Sequence, residues 1–183
     1  MKKISNWRWR LVSLVLLIGL VIPAIAGAAI FVSIPNVPGE STQTGFRDQI
    51  AADSISMGYN SPVDAALGKQ VDLFVAPVTI TKKLDKSTTA LMNLGGQGTR
   101  IAQMVVSHTL NGTASTTPPL YLKVTMTNVA ITDWQLIGTT DDNVVREQIT
   151  FQPTSVSVEY TQLSSTGAIG PKFTGRFEGR VGK

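Results

Sequence analysis

Leu120-Tyr121-Leu122-Lys123-Val124-Thr125-Met126-Thr127-Asn128-Val129-Ala130-Ile131 decides the fold. Leu120, Leu122, Val124 and Met126 alternate with Tyr121, Lys123, Thr125 and Thr127. A period of two is the repeat of a strand, whose successive side chains point to opposite faces, one toward a core and one toward water. After Asn128 the apolar positions move to Val129 and Ile131, so the parity flips. A one-residue change of face is what a β-bulge or sharp bend produces. The stretch reads as strand, bulge, strand.

The same period spreads outward from it. Toward the C-terminus, Gly138 to Asn143 reads as a loop. Ile149 and Phe151, then Val156, Val158 and Tyr160, make one or two long strands around Pro153. Phe173 and Phe177 alternate with Thr174, Arg176 and Glu178 in a last strand. Toward the N-terminus, residues 101–110 form a strand and residues 111–119 an exposed loop. Ile30, Val32 and Ile34 mark a first strand, closed by the turn Asn36-Val37-Pro38-Gly39. Ile50 to Gly58 reads as a second strand, and Asn60 to Gln70 as a long loop. Phe74, Val78 and Ile80 mark a third strand ending at Lys82-Lys83.

One segment carries a helical signal. Asp85 and Ser87 can accept amide hydrogen bonds at a helix start, and Ala90, Leu91 and Leu94 fall at helical spacing. Gly95-Gly96 supplies the stop, which predicts a short helix over about residues 85–94. No internal repeat or domain boundary is visible. About eight strands with one helix predict an all-β-dominated sandwich or barrel over residues 27–183 as a single domain.

The first 26 residues have a different character. Residues 1–10 are polar and basic, and an apolar run follows from Leu11 to Ile22. Pro23 and Ala24-Ile25-Ala26 then supply a helix stop and a small-x-small exit. This is the pattern of a signal peptide, read by export machinery and cut after Ala26, or after Ala28 as the alternative. A second alternative is an uncleaved inner-membrane anchor over residues 11–34, because apolar residues continue through Val32. Either way the chain is expected to be exported, to the periplasm or beyond. Four of the 16 basic residues lie in this leader, leaving 12 against 12 acidic ones. The net charge of +4 is therefore a targeting feature and not a footprint for nucleic acid.

Side chains that could carry chemistry are few. There is no cysteine, which excludes disulfides and thiolate chemistry. His108, the single histidine, shares the parity of Met104, Val106 and Leu110 and reads as a structural or interface group. Asp141-Asp142-Asn143 reads as turn chemistry, without the spaced ligands of a calcium loop. Asn111-Gly112-Thr113 matches a short glycosylation sequon. Lys82, Lys83 and Lys86 read as a solvated strand end and helix start. No nucleophile, base and acid set stands out, so no enzyme and no cofactor is expected.

Four segments, in order, resemble the hemolysin-coregulated protein (Hcp) family of type VI secretion systems. They are Ile30 to Ser41, ending in Gly39-Glu40-Ser41; Thr79 to Ser87, with Lys82-Lys83-Leu84-Asp85-Lys86; Leu122 to Trp134; and Glu147 to Tyr160. The resemblance implies a two-sheet β-barrel with one short α-helix, and homohexameric rings that stack into a hollow tube. It implies a structural protein and effector carrier, without catalysis. It also implies that the segment holding Val63, Ala65, Ala66 and Leu67 reaches the next ring, whereas composition alone equally allows it to pack on its own barrel. The family's usual tube protein has no cleavable leader, so this chain looks like a tube-protein domain joined to a signal. The alternative function is a secreted monomeric binding, adhesin or carrier module on the same fold.

Overall fold

A computed structural model describes residues 25–26, 28–70, 73–110, 112–113, 117–138, 144–164 and 169–181. The segment expected as a signal peptide, up to Ala24, together with Asn111 of the sequon and Asp141-Asp142-Asn143, lies outside the described residues. The strands in chain order are β1 (Ile25–Ala26), β2 (Ala29–Ser33), β3 (Ile50–Ala52), β4 (Ser54–Ser56), β5 (Tyr59–Asn60) and β6 (Val63–Asp64). Then come β7 (Lys69–Gln70), β8 (Phe74–Val75), β9 (Val78–Lys83) and the helix α1 (Ser87–Gly96). The rest are β10 (Ile101–Thr109), β11 (Gly112–Thr113), β12 (Leu120–Ile137), β13 (Arg146–Gln152), β14 (Ser155–Leu163), β15 (Ile169–Glu178) and β16 (Arg180–Val181).

The parity flip at Asn128 is the corner of the molecule. The first half of β12, up to Thr127, pairs with β10 and β14. The second half, from Ala130, pairs with β13. One 18-residue strand thus belongs to two sheets. Asn128 makes the bend with φ 50, and the β12–β13 register shifts between Ile131 and Asp133. Asn is among the few residues that enter the left-handed region at modest cost. Val124, Met126 and Val129 are all fully buried, so the change of phase keeps the apolar side inward around the corner.

A second corner corrects the sequence reading. Ile50 to Gly58 is not one strand. β3 pairs with β2 and β4 pairs with β9, so the chain crosses between sheets at Asp53, whose N–H bonds Thr81 O at 2.8 Å. One sheet runs β3-β2-β10-β12-β14-β15 and the other β12-β13-β9-β4, sharing β12. The barrel is open: among the described residues β15 pairs only with β14. Met104, Val106, Val124 and Val156 face Val78, Ile80, Ile149 and Phe151, and Leu91 of α1 closes one side.

The expected short helix is present and runs Ser87–Gly96, two residues further along than the bounds of about 85–94. Asp85 stands just outside it and caps it, accepting the Ser87 N–H at 2.9 Å. Gly95-Gly96 lies inside the last turn, and the Gln97 N–H bonds Asn93 O at 3.0 Å. The stretch predicted as a plain loop over Asn60 to Gln70 contains a small hairpin, β6 with β7. Ile149 and Val156 lie in separate strands, β13 and β14. Phe74 belongs to β8, apart from β9.

Candidate functional site

Lys82, expected in solvent, is the largest fully buried side chain, 1% exposed. Strand alternation dictates this: Val78, Ile80 and Lys82 share a face of β9, and all point inward. The ammonium lies 2.6 Å from Glu147 Oε1 and 2.6 Å from Asp85 Oδ1, and donates to Lys83 O at 3.0 Å. Glu147, fully buried, also accepts from the Trp134 indole N–H at 2.6 Å and from Thr88 Oγ1 at 2.8 Å. Two charges taken from water cost several kcal/mol each, on the order of magnitude for real proteins, unless paired and hydrogen-bonded. Here the partners are supplied by β9, the Asp85 link, α1, β12 and β13.

The other two lysines of the cluster are exposed. Lys86 Nζ reaches Asp48 Oδ1 at 3.2 Å, and the Lys86 backbone N–H bonds Glu40 Oε1 at 3.0 Å. Gly39-Glu40-Ser41 and Lys82-Lys83-Leu84-Asp85-Lys86 therefore meet in space. Gly39 is required by close approach, since a Cβ there would fall 2.3 Å from Gln49 O and 2.4 Å from Ile50 Cα. Ser41 N–H bonds Gln49 O and Ser41 O accepts the Asp48 N–H, which pins the turn. These motif residues build a junction between the strand β2 turn and the helix entry.

The hairpin β6–β7 projects. Val63 is 60% exposed and Leu67 is 67% exposed, and Ala65 and Ala66 are exposed as well. These four side chains stand in solvent. Asp64 orders the tip: its Oδ1 accepts the Ala66 N–H at 2.8 Å and the Leu67 N–H at 3.2 Å, an Asx-type turn. An ordered turn thus presents aliphatic side chains to water, which makes it a candidate association surface.

A second apolar surface was not singled out from sequence. Ile30, His108, Leu122, Tyr160 and Phe173 form one cross-strand row through β2, β10, β12, β14 and β15. The row lies on the core-facing side but beyond the cover of the other sheet. Tyr160 and Phe173 stack at 6.3 Å, and Phe173 is 57% exposed. His108, half-buried in this row, meets Tyr121 edge-on at 6.0 Å, and burial lowers its pKa from the ordinary value. On the opposite face of β14, Lys172 donates to Glu159 at 2.8 Å, and this hydrogen bond foremost holds the Glu159 carboxyl low. The signal for the row was available in the alternation of β14 and β15, but not the register that aligns five strands.

Among the described residues, no group of three or more His, Asp or Glu is arranged to hold a metal. No described helix is long and apolar enough to cross a membrane.

Two sheets sharing a bent strand, with the one helix among the described residues packed against that strand, define the class of protein. Residues 31–160 match the family model described as type VI secretion system effector, Hcp. The chain belongs to the Hcp family. Solved structures share the fold at low identity. A type six secretion system protein aligns with TM-score 0.71 at 20% identity, covering 81% of this chain and 92% of its own. Hcp1 from Salmonella typhimurium aligns with TM-score 0.64 at 20% identity, covering 83% and 94%. A type VI secretion system effector from Yersinia pestis gives 0.58 at 20% identity, covering 81% and 98%. No curated protein sequence matches the chain.

Proposed function

We propose that this chain is a non-enzymatic structural subunit of type VI secretion that assembles into homohexameric rings, which stack through the β6–β7 hairpin. The observation that carries the reading is the ordered apolar tip, Val63, Ala65, Ala66 and Leu67, held in water by Asp64. The exposed Tyr160–Phe173 surface and the single-sided pairing of β15 support lateral contact between copies, since closing a ring covers such edges. Residues 1–26 act as a signal peptide cut after Ala26, and residues 27–183 form the single working domain in the periplasm or outside the cell. Effector proteins are the cargo partners of the assembled form.

Electron microscopy of negatively stained particles tests the stacking role. Rings of the parent chain stack face to face, and the Val63→Ser/Leu67→Ser double variant gives single rings at the same concentration. Stacks of undiminished length in the double variant would remove the hairpin from the account.

A further inference from the structure

The hairpin springs from a three-stranded patch ordered β16-β8-β5. At its base β5 and β8 pair through Tyr59 with Val75 and Asn60 with Phe74, and the Ala76 N–H bonds Gly58 O at 3.2 Å. A two-stranded ribbon that short does not hold itself in water. Two further elements grip it. Gln152, buried on β13, donates from Nε2 to Val75 O at 2.9 Å. On the outer side β16 adds a parallel strand, Arg180 beside Phe74 and Val181 beside Val75. The chain reaches that position from β15 through Gly179, where a Cβ would fall 2.2 Å from Leu73 O. That neighbour is backbone and cannot swing aside, so the crossing admits glycine alone. Just before it, the Phe177 ring meets Tyr59 of β5 at 5.3 Å.

We infer that residues 179–181 are a strap: the C-terminal strand fixes the base of the projecting hairpin and so positions the tip for the neighbouring copy. The inference rests on the stacking role proposed for that tip. Among the described residues β16 pairs in a ladder with β8 alone, and the strap meets the main sheets through one long bond, Gly179 N–H to Thr154 O at 3.5 Å, so the main sheets depend on it little. Its loss frees the hairpin while the barrel stays folded.

Hydrogen–deuterium exchange on the full chain, purified in mild detergent, reads this directly. Two variants are compared with the parent: the chain ended after Glu178, and Gly179→Val. Amides of residues 58–76 are expected to exchange at least about tenfold faster in both, as a locally opened unit would, while β10 and β12 keep their protection. In parallel, rings persist and stacks are lost. Unchanged exchange over residues 58–76, or equal loss of protection in β10 and β12, overturns the strap. If the parent chain never stacks but the variants still loosen residues 58–76, the strap stands and the stacking reading falls.

Discussion

Lys82 and Glu147 show how much a single parity carries. Glu147, Ile149 and Phe151 share one face of β13, as Val78, Ile80 and Lys82 share one face of β9, and the register sets Lys82 opposite Glu147. Removing one member leaves a buried charge uncompensated. Lys82→Met is expected to cost about 3–5 kcal/mol in urea unfolding, and Lys82→Met/Glu147→Leu to recover a large part of it. An unchanged midpoint in the single variant would mean the pair contributes nothing. His108 gives a pH dependence. Its ordinary pKa is about 6.5, and burial holds the folded value lower. As pH falls the unfolded chain therefore takes up the proton first. Stability is complete above about pH 6.5 and declines as pH falls toward the folded value. Thermal melts at pH 7.5 and 5.5 should show this decline in the parent chain and a smaller one in His108→Gln. The alternation of β9 already placed Lys82 inward. A charged triplet at a strand end suggested solvent, and only the register shows that an acid waits opposite.

At the scale of elements, the corners decide the architecture. The parity flip at Asn128 was legible because it interrupts a long, regular alternation. The crossing at Asp53 was not, because β3 and β4 are three residues each and read as one strand. Partners of short strands are set by tertiary pairing and leave no period of their own. Gly39 holds the turn between β2 and β3. Gly39→Ala drives a Cβ against the Gln49 and Ile50 backbone and is expected to lower stability by more than about 2 kcal/mol, measured by urea unfolding. The hairpin tip behaves oppositely. Val63→Ser and Leu67→Ser lie in solvent and should each change stability by no more than about 0.5 kcal/mol. A large loss there would mean that the tip packs on its own barrel after all. The Asn60–Gln70 segment was readable as unusually apolar, but its hairpin rests on Asp64 capping its own backbone, a local bond without a hydrophobic period.

For the whole molecule, the open barrel leaves apolar side chains in water, among them the hairpin tip and the Tyr160–Phe173 end of the Ile30–Phe173 row. A lone subunit would keep both in water, and closed, stacked assembly would cover both. Residues 1–10 hold the whole basic excess, so the balance of the remaining chain agrees with association through apolar and edge contacts. Native mass spectrometry of residues 27–183 tests the central claim most directly. The account predicts a dominant species of six copies that survives dilution and loses intensity in Phe173→Ser. A strict monomer at high concentration would contradict it.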